Sequence, residues 1–290
     1  MPAKSKRKQR KARARRRKAK AIKSHPRSLP PAGISMPRWN GWHASVPGIG
    51  HLARGTPCQD ATAVGVAPRP WLLAADGMGS STLSQWGSRE ACNLLPELIH
   101  TYEPLLELAL DGDIGCAEAH EAWQSFAKWT YRQLVAKQHS LVHEQGGCSR
   151  DYRFTLACAV IGTGGVGILQ VGDALMLTRR HGRWEIPFPS AEYEFANHTR
   201  FVGSSPDISP NDYCELLPIM GIDGLLAITD GVSTQAFDHQ TRQPAPAIED
   251  IWTDARSRQL SPTDLFSFLA HPTWNASTTD DRGLALVCPA

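Results

Sequence analysis

Three aspartates stand at the ends of short apolar runs in this sequence. Asp76 and Asp230 each close such a run and are followed by glycine, whereas Asp281 opens one. If the runs are antiparallel strands, the three carboxylates reach the same edge of a sheet. Mg²⁺ and Mn²⁺ prefer oxygen ligands, and two such ions roughly 3.5–4 Å apart can hold a phosphoryl oxygen and an attacking water. The pattern indicates a hard-cation site, although a single Asp-Gly pair is typical of a turn.

The segments around the first of these aspartates predict strands followed by helices. Apolar residues indicate strands at 44–46, 61–67 and 71–75. From Leu83 to Leu98 apolar residues recur at steps of three to five, which predicts a helix that Ser81 or Thr82 can cap. A second helix is predicted at 117–137, with its apolar stripe in the core.

The second half of the sequence is richer in β-strand signals. Strands at 154–161, 166–171 and 174–178, separated by glycine-containing turns, predict a meander. Residues 187–223 are rich in Pro, Ser and Asn and are predicted to form a long loop region. A strand ending at Asp230, a short helix at 262–269 and a last strand at 282–287 complete the pattern.

Composition favours one large folded domain in the cytoplasm. The chain has 290 residues, 41% of them hydrophobic, which is enough for a substantial core. Its seven cysteines show no Cys-x-x-Cys spacing, so we interpret them as reduced thiols in a cytosol. No apolar run approaches the ~20 residues that span a bilayer, and no signal-peptide core follows the basic start.

The charge of the chain is divided sharply between its start and the rest. Residues 1–27 hold 14 Lys or Arg and no acid, which leaves 17 basic and 28 acidic residues elsewhere. We interpret residues 1–37 as a basic disordered tail with a Pro-rich linker, and residues 38–290 as the folded domain. The tail could bind an anionic partner, such as nucleic acid, an anionic membrane or an acidic protein, or could only increase solubility.

Five short motifs follow one another along the predicted domain. In chain order they are Arg54…Gln59-Asp60, Asp76-Gly77-Met78-Gly79, Val171-Gly172-Asp173-Ala174, Thr229-Asp230-Gly231 and Asp280-Asp281. Their types and order resemble the metal-dependent (PPM, type 2C) Ser/Thr protein phosphatases, in a bacterial-type branch with a Cys-Gln-Asp-Ala segment. The resemblance implies an α+β fold, a four-layer αββα sandwich of two antiparallel β-sheets flanked by helices.

The resemblance also implies a role for individual residues. Asp76 would bridge two metal ions, and Asp230 and Asp281 would complete one of them. Asp60 and the backbone carbonyl of Gly77 would serve the other ion. The resemblance implies two Mn²⁺ or Mg²⁺ ions as cofactors, and it allows a third metal ion at the same site.

The implied reaction is hydrolysis of phosphoserine or phosphothreonine in a phosphorylated protein substrate. Water bound at the dinuclear centre would attack phosphorus. Arg54 would bind the phosphate, since a guanidinium fork matches two phosphate oxygens.

Some residues depart from the pattern of the family. Many relatives have an acid at the position of Gln59 and a histidine at that of Met78, and Arg54 lies one residue further from Gln59 than in the common form. These departures motivate an alternative, a catalytically silent binding or regulatory module with a phosphatase fold, tethered to nucleic acid by its tail. We interpret Asp173 and His51 as structural residues.

Overall fold

The computed structural model describes residues 36–188, 199–205, 208–209, 213–238, 240–241 and 243–290. The predicted basic tail, and the linker up to residue 35, lie outside these described residues. The same is true of much of the predicted loop region at 187–223. None of the described helices is both long enough and apolar enough to span a membrane.

Two five-stranded antiparallel sheets form the centre of the fold. The first sheet contains, in spatial order, β1 (Trp39–Val46), β12 (Arg282–Pro289), β9 (Ile222–Ile228), β6 (Leu175–Arg180) and β7 (Arg183–Glu185). The second contains β2 (Ala61–Gly65), β3 (Trp71–Gly77), β4 (Phe154–Ile161), β5 (Gly165–Val171) and β8 (Cys214–Pro218). A small hairpin joins β10 (Phe237–Asp238) to β11 (Gln243–Pro244).

Helices cover the outer face of each sheet. The helices α2 (Ser84–Thr101), α3 (Glu103–Leu110) and α4 (Ala117–Gln145) pack on the second sheet. The helices α5 (Asp230–Ala236), α6 (Pro246–Arg256) and α7 (Pro262–Ala270) pack on the first. A short helix, α1 (Ile49–Arg54), connects β1 to β2, and 3₁₀ turns occur at Ser149–Tyr152 and Pro272–Ala276.

Strand alternation produces three separate hydrophobic layers. In β3, Leu72 and Ala74 face the first sheet, whereas Leu73 and Ala75 face the helices. Successive side chains of a strand point to opposite faces, so one apolar strand can supply two cores. Each fully buried Leu contributes about 1.5–3 kcal/mol relative to an exposed one. The predicted four-layer αββα sandwich is confirmed.

Several predicted elements differ in detail from those observed. The helix predicted after Asp76 begins at Ser84, so its N-cap residue is Leu83, whose side chain cannot cap it. Ser81 Oγ donates a hydrogen bond to the carbonyl of Asp151. The predicted meander is interrupted, since β5 lies in the second sheet and β6 in the first. Gly172, at φ +87°, allows the chain to turn between the sheets.

A buried arginine holds the sheet end that lies opposite Asp76. Arg69 is only 3% exposed, and its Nη2 lies 2.7 Å from Glu103 Oε1 and 2.6 Å from Asp111 Oδ2. Its Nη1 also donates to the carbonyl of Ile161. The guanidinium therefore joins the turn before β3 to α3 and to the end of β4.

Replacing Arg69 with lysine should lower the free energy of unfolding by about 1–2 kcal/mol, because one ammonium cannot make the same set of bonds. Chemical denaturation of the two proteins would measure the difference. Arg183→Lys is the matched control, since this arginine is exposed. Equal midpoints for wild type and Arg69→Lys would contradict the expectation.

Candidate metal centre

Aspartates from both sheets lie at the same end of the sandwich. In the second sheet, Asp60 comes directly before β2 and Asp76 lies near the end of β3. In the first sheet, Asp230 follows β9 and Asp281 precedes β12. Both strand pairs are antiparallel, so the start of one strand lies beside the end of its neighbour. The structure therefore brings together the four aspartates that the sequence singled out.

The electrostatics of these carboxyl groups show that they interact. Burial raises the pKa of Asp60 well above its usual range, and the charges of Asp281 and Asp230 raise it further. Burial likewise raises the pKa of Asp76, together with the charges of Asp60, Asp230 and Asp173. The pKa of Asp230 is raised to about 6, mainly by burial. Crowded carboxylates of this kind are stabilised by cations.

The donor set suits a hard divalent cation. Asp60 Oδ2 is buried and has no hydrogen-bond partner in the described part of the chain. Within the described ranges, no three or more His, Cys, Asp or Glu side chains are arranged so that they could hold a metal ion without moving. The aspartates thus form an open acidic group with oxygen donors only, which fits Mg²⁺ or Mn²⁺ better than zinc.

Two further acids join this group, and the sequence analysis had not assigned either to the site. Burial is the largest cause of the raised pKa of Asp230, and the charge of Asp280 is the second. The charge of Asp173 acts on both Asp76 and Asp230. Asp173 had been interpreted as a turn residue, and it does follow the turn at Gly172. Its position between the two sheets also places it beside the acidic group.

Asp281 has other partners than the resemblance implies. Its side chain is 1% exposed, and both carboxylate oxygens bind protein groups. Oδ1 accepts a hydrogen bond from the Gly48 amide at 2.7 Å, and Oδ2 accepts one from the Gln59 amide at 2.6 Å. His51 Nδ1 also lies 2.7 Å from Oδ2. Asp281 therefore joins three segments of the chain. The neighbouring Asp280 is exposed, and its Oδ1 accepts a hydrogen bond from the Asp281 amide at 2.9 Å.

Gln59 and Gly77 form the backbone beneath the acidic group. The side-chain nitrogen of Gln59, Nε2, donates to the carbonyl of Ser81, whereas its Oε1 is buried without a hydrogen-bond partner in the described part of the chain. The Gly77 amide donates to the carbonyl of Gln59 at 3.2 Å. A Cβ at Gly77 would lie 2.8 Å from Ser84 Oγ and 2.9 Å from the Gln59 carbonyl oxygen, so a side chain does not fit there.

Arg54 lies at the edge of the site rather than in it. It is the last residue of α1, and its side chain is exposed. No hydrogen bond or ion pair joins it to another residue in the described ranges. It does lie one helical turn from His51, which contacts Asp281. Because the guanidinium is exposed, it can change rotamer and turn toward a bound anion.

In the presence of a chelator, the protein should lose stability as the pH rises from about 4 to about 7. The folded pKa of Asp230 is about 6, whereas an unfolded aspartate titrates near pH 4. Between these values the folded state holds more protons, so this contribution to stability is present below pH ~4 and lost as the pH passes ~6. Melting temperatures of wild type and Asp230→Asn in chelator would measure this. The wild type should fall relative to the variant as the pH rises, and a constant difference would contradict the expectation.

An αββα sandwich with aspartates from both sheets at one end is the architecture expected of a metal-dependent protein phosphatase of type 2C. The sequence comparison agrees: the family model for protein phosphatase 2C matches residues 47–270. The chain therefore belongs to the protein phosphatase 2C family.

Known proteins of similar sequence or structure cover most of the chain. Serine/threonine-protein phosphatase 3 of Escherichia coli (strain K12) is 24% identical over an alignment of 264 residues that covers 86% of this chain and 97% of that protein. A bacterial serine phosphatase has a TM-score of 0.57 at 14% identity, covering 87% of this chain and 98% of its own. The catalytic domain of the serine threonine protein phosphatase PstP, solved with two manganese ions, has a TM-score of 0.54 at 13% identity, covering 87% and 99%. At these identities the solved structures show a shared fold.

Proposed function

We propose that this protein hydrolyses phosphoserine and phosphothreonine in phosphorylated proteins, at a centre of two Mn²⁺ or Mg²⁺ ions. The observation that carries the proposal is the acidic group itself, in which the charges of Asp60 and Asp230 raise the pKa of Asp76 and the charge of Asp230 raises the pKa of Asp60. Membership of the protein phosphatase 2C family supports it. The two manganese ions bound by PstP support a dinuclear centre.

Each metal ion would be bound by a different subset of the acidic group. Asp76, which interacts with acids from both sheets, would be shared by the two ions. Asp60 and the carbonyl of Gly77 would serve one ion, and Asp230 would serve the other. We propose Asp280 in place of Asp281 as the second carboxylate on that side, because both oxygens of Asp281 are already hydrogen-bonded.

The bound cations would supply an activated water and would neutralise charge on the phosphoryl oxygens. The chain itself contributes binding and orientation. Arg54 would hold the phosphate through its guanidinium fork, at the exposed edge of the acidic group. Met78 has no proton to donate, so the leaving seryl or threonyl oxygen would take its proton from solvent water.

The tail and the location of the protein belong to the same proposal. Residues 38–290 would be the phosphatase domain, acting in the cytoplasm, and residues 1–37 would attract an anionic partner. Deleting residues 1–27 tests the latter point. If binding to RNA or DNA at low salt is unchanged by the deletion, the tail does not bind nucleic acid.

The direct test is hydrolysis of p-nitrophenyl phosphate and of a phosphothreonine peptide with Mn²⁺, Mg²⁺ or a chelator. We expect turnover that requires metal and is lost in Asp230→Asn. Asp250→Asn is the matched control, because Asp250 is an exposed aspartate of α6. Well-folded protein that turns over neither substrate with any metal would contradict the proposal and favour the silent binding module.

A further inference from the structure

A cavity of about 550 Å³ lies in the helical layer over the first sheet. Helices α5, α6 and α7 and the 3₁₀ turn Pro272–Ala276 surround it. Its lining is mainly apolar, with Ala236, Ile248, Phe268 and Trp274, and polar atoms come from residues such as Gln235 and His271. Cavities of roughly 300–1,000 Å³ with this mixture of surfaces are typical of ligand-binding sites.

The walls of this cavity are the elements that carry two of the proposed metal ligands. Helix α5 begins with Asp230 and contributes Gln235 to the cavity, about 7.5 Å further along its axis. Thr234, one turn from Asp230 and adjacent to Gln235 in the sequence, is exposed. The opposite wall, at Trp274, lies six residues before Asp280. Gln235 Nε2 donates to the carbonyl of Trp274 and joins the two walls.

The floor of the cavity is suited to an apolar group. The rings of Phe268 and Trp274 meet edge to face, with centroids 5.3 Å apart. Trp274 Nε1 donates to the carbonyl of Phe268, so the indole has no unpaired donor. An aromatic side chain can pack against such rings without leaving a polar group unsatisfied.

We propose that this cavity is a substrate subsite, which receives a large apolar side chain located two to four residues from the phosphorylated residue. An extended peptide advances about 3.3 Å per residue, so two to four residues span roughly 7–13 Å. This is the scale of the distance along α5 from Asp230 to the cavity. The inference rests on the proposed function and adds a sequence preference to it.

Phosphothreonine peptides with a single phenylalanine test this subsite. The residue would be placed two, three or four positions before or after the phosphothreonine, in an otherwise alanine-rich sequence. At one or more positions, phenylalanine should raise kcat/KM at least about tenfold over the all-alanine peptide, mainly through KM. Ala247→Trp, at an exposed position lining the cavity, should remove that preference. Ser267→Trp, on α7, fills the same cavity from the other side and should do likewise.

The matched control is Ala136→Trp, at an exposed alanine of α4 in the other helical layer, which should keep the wild-type preference. Equal turnover of phenylalanine and alanine peptides by the wild type, or a preference that persists in both cavity variants, would overturn the subsite alone. Hydrolysis of p-nitrophenyl phosphate has no flanking residues and reports on the centre itself. Its absence in the wild type would overturn the proposed function, and the subsite with it.

Discussion

Replacing Asp76 with asparagine should lower phosphatase turnover by roughly 10³-fold or more, since charge stabilisation by a metal is worth several kcal/mol and each 1.4 kcal/mol is tenfold. The same change should raise the melting temperature of the protein in chelator. Asp76 is a carboxyl group whose pKa is raised by burial and by Asp60, Asp230 and Asp173, so its charge is unfavourable without cations. One substitution should thus have opposite effects on activity and on metal-free stability.

Two measurements separate these effects for Asp76→Asn. Turnover of a phosphothreonine peptide with saturating Mn²⁺ gives the loss of activity, and thermal unfolding at pH 7.5 with chelator gives the stability. Asp250→Asn should change neither, because this aspartate is exposed and far along α6. Activity near that of the wild type, or a lower melting temperature in chelator, would contradict the assignment of Asp76 to the centre.

Replacing Asp281 with alanine should lower the free energy of unfolding by about 3–5 kcal/mol, and the melting temperature by about 10 °C. The substitution leaves the amides of Gly48 and Gln59, and the ring of His51, without their buried acceptor. Replacing Asp280 with alanine removes an exposed carboxylate, and the free energy of unfolding without metal should stay close to that of the wild type. Asp280→Ala should instead weaken Mn²⁺ binding.

Calorimetric Mn²⁺ titration and thermal unfolding of the two variants compare these adjacent residues directly. A stable Asp281→Ala protein that has lost Mn²⁺ affinity, beside an Asp280→Ala protein that binds normally, would restore the role that the resemblance implied for Asp281. The two aspartates are adjacent in the sequence and undergo the same substitution, so each variant is the control for the other.

The strand signals of the sequence predicted most of the site because they fix which strand ends carry acids. The apolar runs alone predicted Asp76, Asp230 and Asp281 at the same edge of one sheet, and the resemblance added Asp60. The structure places these acids at the same end of the sandwich, but Asp76 lies in the second sheet, whereas Asp230 and Asp281 lie beside strands of the first. The choice between Asp280 and Asp281 could not be made this way. Neighbouring residues at a strand end point in different directions, and only the hydrogen bonds to Gly48 and Gln59 show which carboxylate is turned inward.

Short elements and long-range contacts limited the prediction of the fold. Helix α6 begins at Pro246, a position where proline is favoured, but the sequence analysis predicted no helix between Asp230 and residue 262. Strand β8 lies within the region that was predicted to be a loop. It was not predicted as a strand because its only signal is a short apolar run beside Cys214. The cap expected from Ser81 is not formed, because the helix begins at Ser84 and Leu83 occupies the N-cap position. The Ser81 hydroxyl instead binds the carbonyl of Asp151, which is 70 residues away.

The carboxylates of the acidic group come from different layers of the sandwich, and this has a consequence for the lifetime of the protein. Asp60 and Asp76 belong to the second sheet, and Asp230 and Asp280 to the first. An ion shared between them would act as a cross-link over the core that the two sheets enclose. The supply of divalent cations would then govern how often the sheets separate enough to admit a protease, as well as how fast the enzyme works.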